Sequence, residues 1–302
     1  MRRFIIKTAI FLVLAALIAA GIEAYIRSWD NSYKAKDRWM TDNAATVETI
    51  ILGNSHALFS FRPQYVGCNA YNLANVSQTI DYDNLLLRHY APMCKRLKNV
   101  IITVDNSNLF DPSLDEIGAH RATFYRIYMG IRRHSLLSEY SLELLHPATV
   151  QAKWQKHMRH EDMEIDSAGW CYTYKADQRD PSQLDDESVR QRAEGHICGD
   201  WRLADYNAKE LLDIAEYCKK NRLRLTIVQT PTCKKYNRLI PVRQRRFIDS
   251  TLDKCRRLYG ATVVDLHDSR MFSDSGDFFD ADHITDRAAA RLSTMVGKMM
   301  QR

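Results

Sequence analysis

Residues 47–56 read VETIILGNSH, and the point at which this run stops decides the architecture. Residues 47–52 (VETIIL) read as a strand, the first of a set whose run at 99–104 (NVIITV) is too uniformly apolar for a surface strand. A strand reads this way when both of its faces are covered, as in a parallel sheet with helices on either side. Gly53 ends the run, and the turn-prone Asn54, Ser55 and His56 follow at what would be the strand's carboxyl end.

Moving outward, four more strands are expected at residues 70–74, 99–104 (NVIITV), 223–228 (LRLTIV) and 261–266 (ATVVDL). Helical spacing falls between or after them, at residues 82–90, 203–221, 242–258 (stopped by Gly260) and 286–300. Strands that alternate with helices imply right-handed βαβ units and a mainly parallel sheet between two helical layers. Ligands in such sheets sit beyond the carboxyl ends of the strands. Residues 111–201 break the alternation. A helix is expected over 122–145, and the polar remainder reads as an insertion that shapes a substrate or partner surface. Trp154, Trp170 and Trp201 bracket it, either as core anchors or as platforms for sugars.

The amino-terminal end is of a different kind. Arg2, Arg3 and Lys7 precede the apolar run 8–22 (TAIFLVLAALIAAGI), the arrangement that holds an N-terminus in the cytoplasm. Residues 1–26 are therefore expected to be an uncleaved membrane anchor or else a signal peptide, followed by a stalk over 27–46. Residues 47–302 would then form a catalytic domain outside the cytoplasm, on the periplasmic side of the inner membrane if the cell is Gram-negative.

Composition excludes several classes. With 45% apolar and 26% charged residues among 302, the chain is globular rather than disordered. A net charge of +6 without a dense Lys/Arg tract argues against nucleic acid as a partner. The seven cysteines contain no CxxC pair, which leaves buried thiols or a bridge such as Cys171 to Cys198. Histidines 89, 120, 134, 146, 157, 160, 196 and 267 lack ligand spacing, so neither a metal nor another cofactor is expected.

Chemistry points to two strand-end elements. Ser55 stands where a turn exposes its hydroxyl and a following helix offers N–H groups to an oxyanion. Near the other end of the chain, Asp280-Ala281-Asp282-His283 puts a carboxylate three residues before an imidazole. A serine hydroxyl needs such a base, and the base needs a carboxylate to fix its tautomer. Alone, each element is equally a turn or a helix cap, with Thr285 or Asp282 capping the last helix. His56 either lines the same site or is an exposed loop histidine.

Together the two elements resemble the SGNH (GDSL-like) hydrolase family, whose members carry Gly-Asp-Ser after the first strand and Asp-x-x-His near the C-terminus. Here Gly53-Asn54-Ser55 has asparagine for the usual aspartate, while Asp280 and His283 match. The resemblance spans about residues 47–300, the insertion apart. It implies a three-layer, flavodoxin-like α/β fold with a five-stranded sheet, plus the N-terminal transmembrane helix. It further implies Ser55 as nucleophile, His283 as base and Asp280 as its orienting acid. The oxyanion donors would be Ser55, Ala74 (where the family has glycine) and Asn106, with Asn108 as the alternative. An anchored domain of this kind is similar to the branch that moves acyl groups on cell-envelope polymers, such as alginate O-acetylation proteins and the D-alanyl-lipoteichoic acid transfer protein. The implied partners are an acylated envelope polysaccharide or a small acyl ester, the membrane, and a membrane acyl-donor protein. Hydrolysis and transfer stay open, as does a catalytically silent scaffold, because the family's second and third blocks are poorly matched.

Overall fold

The computed structural model describes residues 1–132, 142–159, 164–273 and 276–301. In chain order the helices are α1 (Arg2–Ser28), α2 (Ser32–Asn43), α3 (Ser55–Ser60), α4 (Pro63–Val66), α5 (Ile80–Tyr90), α6 (Leu114–Ile117) and α7 (Ala119–Met129). They continue as α8 (Pro147–Met158), α9 (Asp186–Gly195), α10 (Trp201–Lys220), α11 (Lys234–Leu239), α12 (Val242–Tyr259) and α13 (Asp286–Met300). The strands are β1 (Thr49–Leu52), β2 (Ala70–Asn72), β3 (Asn99–Thr103), β4 (Arg224–Gln229) and β5 (Thr262–Asp265). The chain forms two compact units, residues 1–37 with 119–164 and residues 38–118 with 165–302. The stretch 111–201 is thus divided between them.

The second unit is α/β. Its five strands are all parallel, in the order β2-β1-β3-β4-β5. β1 and β3 are wholly buried, their polar Thr49, Asn99 and Thr103 included, as strands covered on both faces are. From β1 the chain moves to β2 on one side, then returns past β1 to β3 and onward. Right-handed crossovers with that reversal put α3 and α4 on one face and α5, α10 and α12 on the other. The packing agrees: α13 lies on α3 and α4, while α10 lies on α5 and α12. The direction changes between β1 and β3, which makes their carboxyl ends the switch point where such sheets bind ligands. Ser55 follows one of these strands and Asp105 the other.

Two local features depend on glycine. Gly53 has φ +129°, and a Cβ on it would lie 2.2 Å from Thr103 Oγ1, so only glycine lets the β1 turn press against β3. Gly260, at φ +75°, closes α12 in the left-handed conformation and accounts for the expected stop. β2 ends at Asn72 rather than at residue 74, because the Ala74 N–H turns onto the Asn72 side chain.

In the first unit, α1 is long and apolar enough to cross a membrane, with a mean hydropathy of 2.5 over its best window. Its 27 residues span roughly 40 Å at the helical rise, against about 30 Å of hydrocarbon. Residues 32–43, expected as stalk, are helical. Near the C-terminal end of α1, the Glu23 carboxylate accepts Arg27 Nε (2.6 Å) and the backbone N–H groups of Glu143 (2.9 Å) and Leu144 (3.1 Å). Lys153 Nζ reaches the Ile26 carbonyl (2.8 Å), the Tyr128 hydroxyl (2.7 Å) and Glu143 (3.0 Å). The helix expected over 122–145 runs only to Met129, where Gly130 at φ +65° interrupts it; residues 133–141 lie outside the described residues.

All seven cysteines are unbridged, five of them buried, which replaces the Cys171–Cys198 pairing with core thiols. Burial pushes the Cys218 and Cys255 thiols up to about 12, so both are inert at neutral pH.

Candidate active site

Ser55 is the first residue of α3, and its place there is set by Asn54. The Asn54 Oδ1 caps the helix by accepting the His56 N–H at 2.9 Å. The Asn54 Nδ2 donates to Asp105 Oδ2 at 2.6 Å. An aspartate in place of Asn54 would set two carboxylates face to face, whereas the asparagine amide donates to the acid that follows β3. Beneath the turn, the Gly53 N–H donates to Asp83 Oδ1 at 2.7 Å. Burial pushes the Asp83 carboxyl up to about 8, against hydrogen bonds from Gln78 and Gly53, so it is protonated at neutral pH.

Ser55, His283 and Asp280 come together. The half-buried Ser55 Oγ lies 2.8 Å from His283 Nε2, across 228 residues of sequence. His283 Nδ1 is 3.0 Å from both oxygens of Asp280. Asp280 is itself held by the backbone N–H groups of His283 (2.8 Å) and Asp282 (3.1 Å) on its Oδ1. Two ring faces restrain the imidazole edge-on, Phe59 and Tyr174, and Tyr174 stacks between Phe59 and Phe279.

A second set of charges surrounds this line. Asp282, 1% exposed, lies 3.4 Å from His283 Nδ1, 3.3 Å from His56 Nε2, 3.7 Å from His196 Nδ1 and 3.3 Å from Arg192 Nε. Burial alone would raise its carboxyl, but His283, His56 and His196 hold it well below the ordinary range. Burial would likewise pull His283 down; Asp282 and Asp280 outweigh that and push it up to about 9. Asp105 is kept low against its burial by His56, by hydrogen bonds from Ser107, and by His196.

His56 was ambiguous in the sequence. It is 3% exposed, stacks on His283 with ring centres 4.6 Å apart, and meets Thr230 Oγ1 through Nδ1 at 3.1 Å. The capping role belongs to Thr285, whose hydroxyl accepts the Ala288 N–H. No sequence signal marked Asp105, Arg192 or His196. Two of these come from the region read as an insertion, and their approach to Asp282 is a product of tertiary folding.

The expected oxyanion donors fare differently. The Ser55 N–H opens α3 and has no acceptor among the described residues, as at any helix start. The Ala74 N–H already donates to Asn72 Oδ1 at 3.0 Å. Asn106 accepts Arg245 Nη1 at 2.9 Å and bonds the Tyr236 hydroxyl. Asn108 accepts the Asp105 N–H (3.2 Å) and donates to the Thr103 carbonyl (3.0 Å). These bonds occupy the Ala74 N–H and the Asn108 amide, while Asn106 is held by Arg245 through its oxygen. Asn72 and Asn108 are short polar side chains that close on nearby backbone.

His56, Asp282 and His283 are close enough to share a metal ion. Both ring nitrogens of His283 face Ser55 and Asp280, whereas the two Asp282 oxygens have no hydrogen-bond partner among the described residues and meet the imidazoles and the Arg192 guanidinium at ion-pair distance. Of the tryptophans, Trp170 is a core anchor that donates to the Phe59 carbonyl at 2.8 Å, whereas Trp154 is exposed.

No protein-family model and no curated protein matches the sequence. Among solved structures, the chain is similar to a GDSL-like lipase from Bacteroides thetaiotaomicron VPI-5482, at 10% identity and a TM-score of 0.42, over 89% of this chain and 97% of that one.

Proposed function

We propose that this protein is a serine-dependent acyl-ester hydrolase or O-acyltransferase that acts on cell-envelope glycans through an acyl-enzyme on Ser55. The observation that carries the reading is the continuous line Ser55 Oγ, His283, Asp280, with gaps of 2.8 and 3.0 Å. In the proposed cycle His283 takes the Ser55 proton as Oγ attacks an ester carbonyl. The charge on the tetrahedral oxygen falls to the Ser55 N–H. His283 then returns the proton to the departing alkoxide, and the acyl group stays on Ser55. Water or a sugar hydroxyl, deprotonated by His283 in turn, takes the acyl group and frees the serine. Asp280 keeps the ring in the tautomer that bares Nε2 and stabilises the imidazolium. The charged N-terminus and apolar α1 support an anchored domain outside the cytoplasm; a membrane acyl donor as its partner belongs to the same proposal.

The bonds that engage Ala74, Asn106 and Asn108 favour a second reading, a silent scaffold of an envelope assembly. A fluorophosphonate probe and p-nitrophenyl acetate, applied to the full chain in detergent beside Ser55→Ala, separate the two. The enzyme reading expects labelling and turnover that the substitution abolishes. Absence of labelling favours the scaffold, and turnover equal in both proteins removes Ser55 as nucleophile.

A further inference from the structure

A cationic pocket of about 360 Å³ lies beyond the carboxyl ends of β4 and β5. It is walled by Lys234, Arg238, Arg245 and Arg270, against a single acid, Asp268. Lys234, Arg238 and Arg270 are exposed and have no carboxylate partner among the described residues. Elsewhere on this surface, cations such as Lys98, Lys220 and Arg256 sit against acids. Cations that share one concavity repel each other, an arrangement that an anion relieves.

The floor of the pocket is built rather than mobile. Arg245, 16% exposed, is fixed by Asn106 Oδ1 (2.9 Å), Gln229 Oε1 (3.1 Å) and His267 Nδ1 (3.0 Å), and pairs with Asp249 at 3.7 Å, outside the pocket lining. Asn237 clamps the wall by donating to the His267 carbonyl at 2.7 Å. A guanidinium held this way keeps its geometry for a planar or tetrahedral oxyanion.

Its location bears on the substrate. All strands are parallel, so this pocket and Ser55 open on the same edge of the sheet. β1 and β5 are three strands apart, roughly 14 Å at normal strand spacing. One extended molecule can therefore reach both. Arg245 also touches Asn106, whose neighbour Asp105 accepts from Asn54 beside the serine.

We infer that this pocket binds a phosphate or sulfate group carried by an extended polyanionic substrate, one end of which lies at Ser55. The second half of that statement rests on the acyl-ester reading; the binding of the oxyanion does not. Inorganic phosphate is the first probe, followed by equilibrium dialysis with the full chain in detergent at low salt. Saturable binding is expected, weakened at least tenfold in Arg238→Ala/Arg270→Ala, kept in Arg238→Lys/Arg270→Lys and untouched in Ser55→Ala. Circular dichroism of the alanine variant checks its fold. Non-saturable binding, or binding that the folded alanine variant retains, overturns the site. Chondroitin sulfate is the second probe: displacement of phosphate supports the polymer-borne group, and failure to displace it overturns that assignment. Phosphate binding without fluorophosphonate labelling of Ser55 would defeat the acyl-ester reading alone.

Discussion

Each unit of this protein buries a cluster of charges, and the two clusters are built on opposite rules. At the end of α1, Lys153 faces Glu143, the Tyr128 hydroxyl and the Ile26 carbonyl, while Glu23 is filled by Arg27 and two backbone N–H groups. Charge meets charge, and the set is closed. At the β1–β3 switch point, Asp282 is shared among His283, His56, His196 and Arg192, and the line ends on a half-buried hydroxyl. Burial of charge is common to both. A titratable imidazole against a reachable nucleophile belongs to one alone, and that difference separates a structural lock from a site able to do chemistry.

The largest expected effect breaks the second cluster at its base. His283→Ala should lower p-nitrophenyl acetate turnover about 10⁴-fold, the scale on which a triad member is lost. A loss below tenfold, measured on protein with an unchanged melting profile, would put the two clusters in the same class.

Next comes the lock. Lys153→Ala leaves the Glu143 carboxylate buried without its ammonium, which costs on the order of 3 kcal/mol. Thermal unfolding should therefore begin at markedly lower temperature, while Ser55 labelling below that temperature persists. Activity lost without any change in unfolding would contradict the assignment.

A smaller change sharpens the role of Asp282. With His283 pushed up to about 9, the base is protonated in neutral buffer, and kcat/KM should rise with pH until about 9. Asp282→Asn removes one of the two carboxylates that raise it, so this limb should move down by about one to two pH units. An unmoved limb would leave Asp280 as the acid that matters. In stability the sign is opposite to that of activity: His283 binds its proton more tightly folded than unfolded. Its contribution is complete below the unfolded value near 6.5 and is lost as pH rises through about 9.

The smallest effect concerns Asp83 beneath the Gly53 turn. Folded, it keeps its proton to about 8, while the unfolded chain releases it near 4. Between those values the unfolded state binds fewer protons, so stability falls as pH rises. Asp83→Asn should flatten that slope, as read from melting temperatures at pH 5 and pH 8; equal slopes in both proteins would show that Asp83 titrates normally.

Much of this architecture was legible residue by residue. The run at residues 99–104 announced a covered parallel strand, since an exposed strand would alternate. Gly260 announced the end of α12. Less was legible where polar side chains choose between partners. Asn106 and Asn108 read equally well as oxyanion donors or turn formers, and nothing local shows that Arg245 reaches the Asn106 oxygen while the Asn108 amide turns to the Thr103 carbonyl. His56 looked like a loop residue because its burial comes from His283 and Asp282, both more than two hundred positions away.

By itself the amino-acid order determined the parallel α/β layering, the apolar N-terminal helix, and the standing of Ser55 and His283 at strand-end turns. Periodicity and turn chemistry are local, so neighbouring residues suffice to specify them. The 2.8 Å approach of that serine to that imidazole, the ring of His56, His196, Arg192 and Asp282 around it, and the resulting proton affinities were decided only by the tertiary structure. Electrostatics and burial sum over everything nearby in space, and these neighbours come from distant stretches of chain.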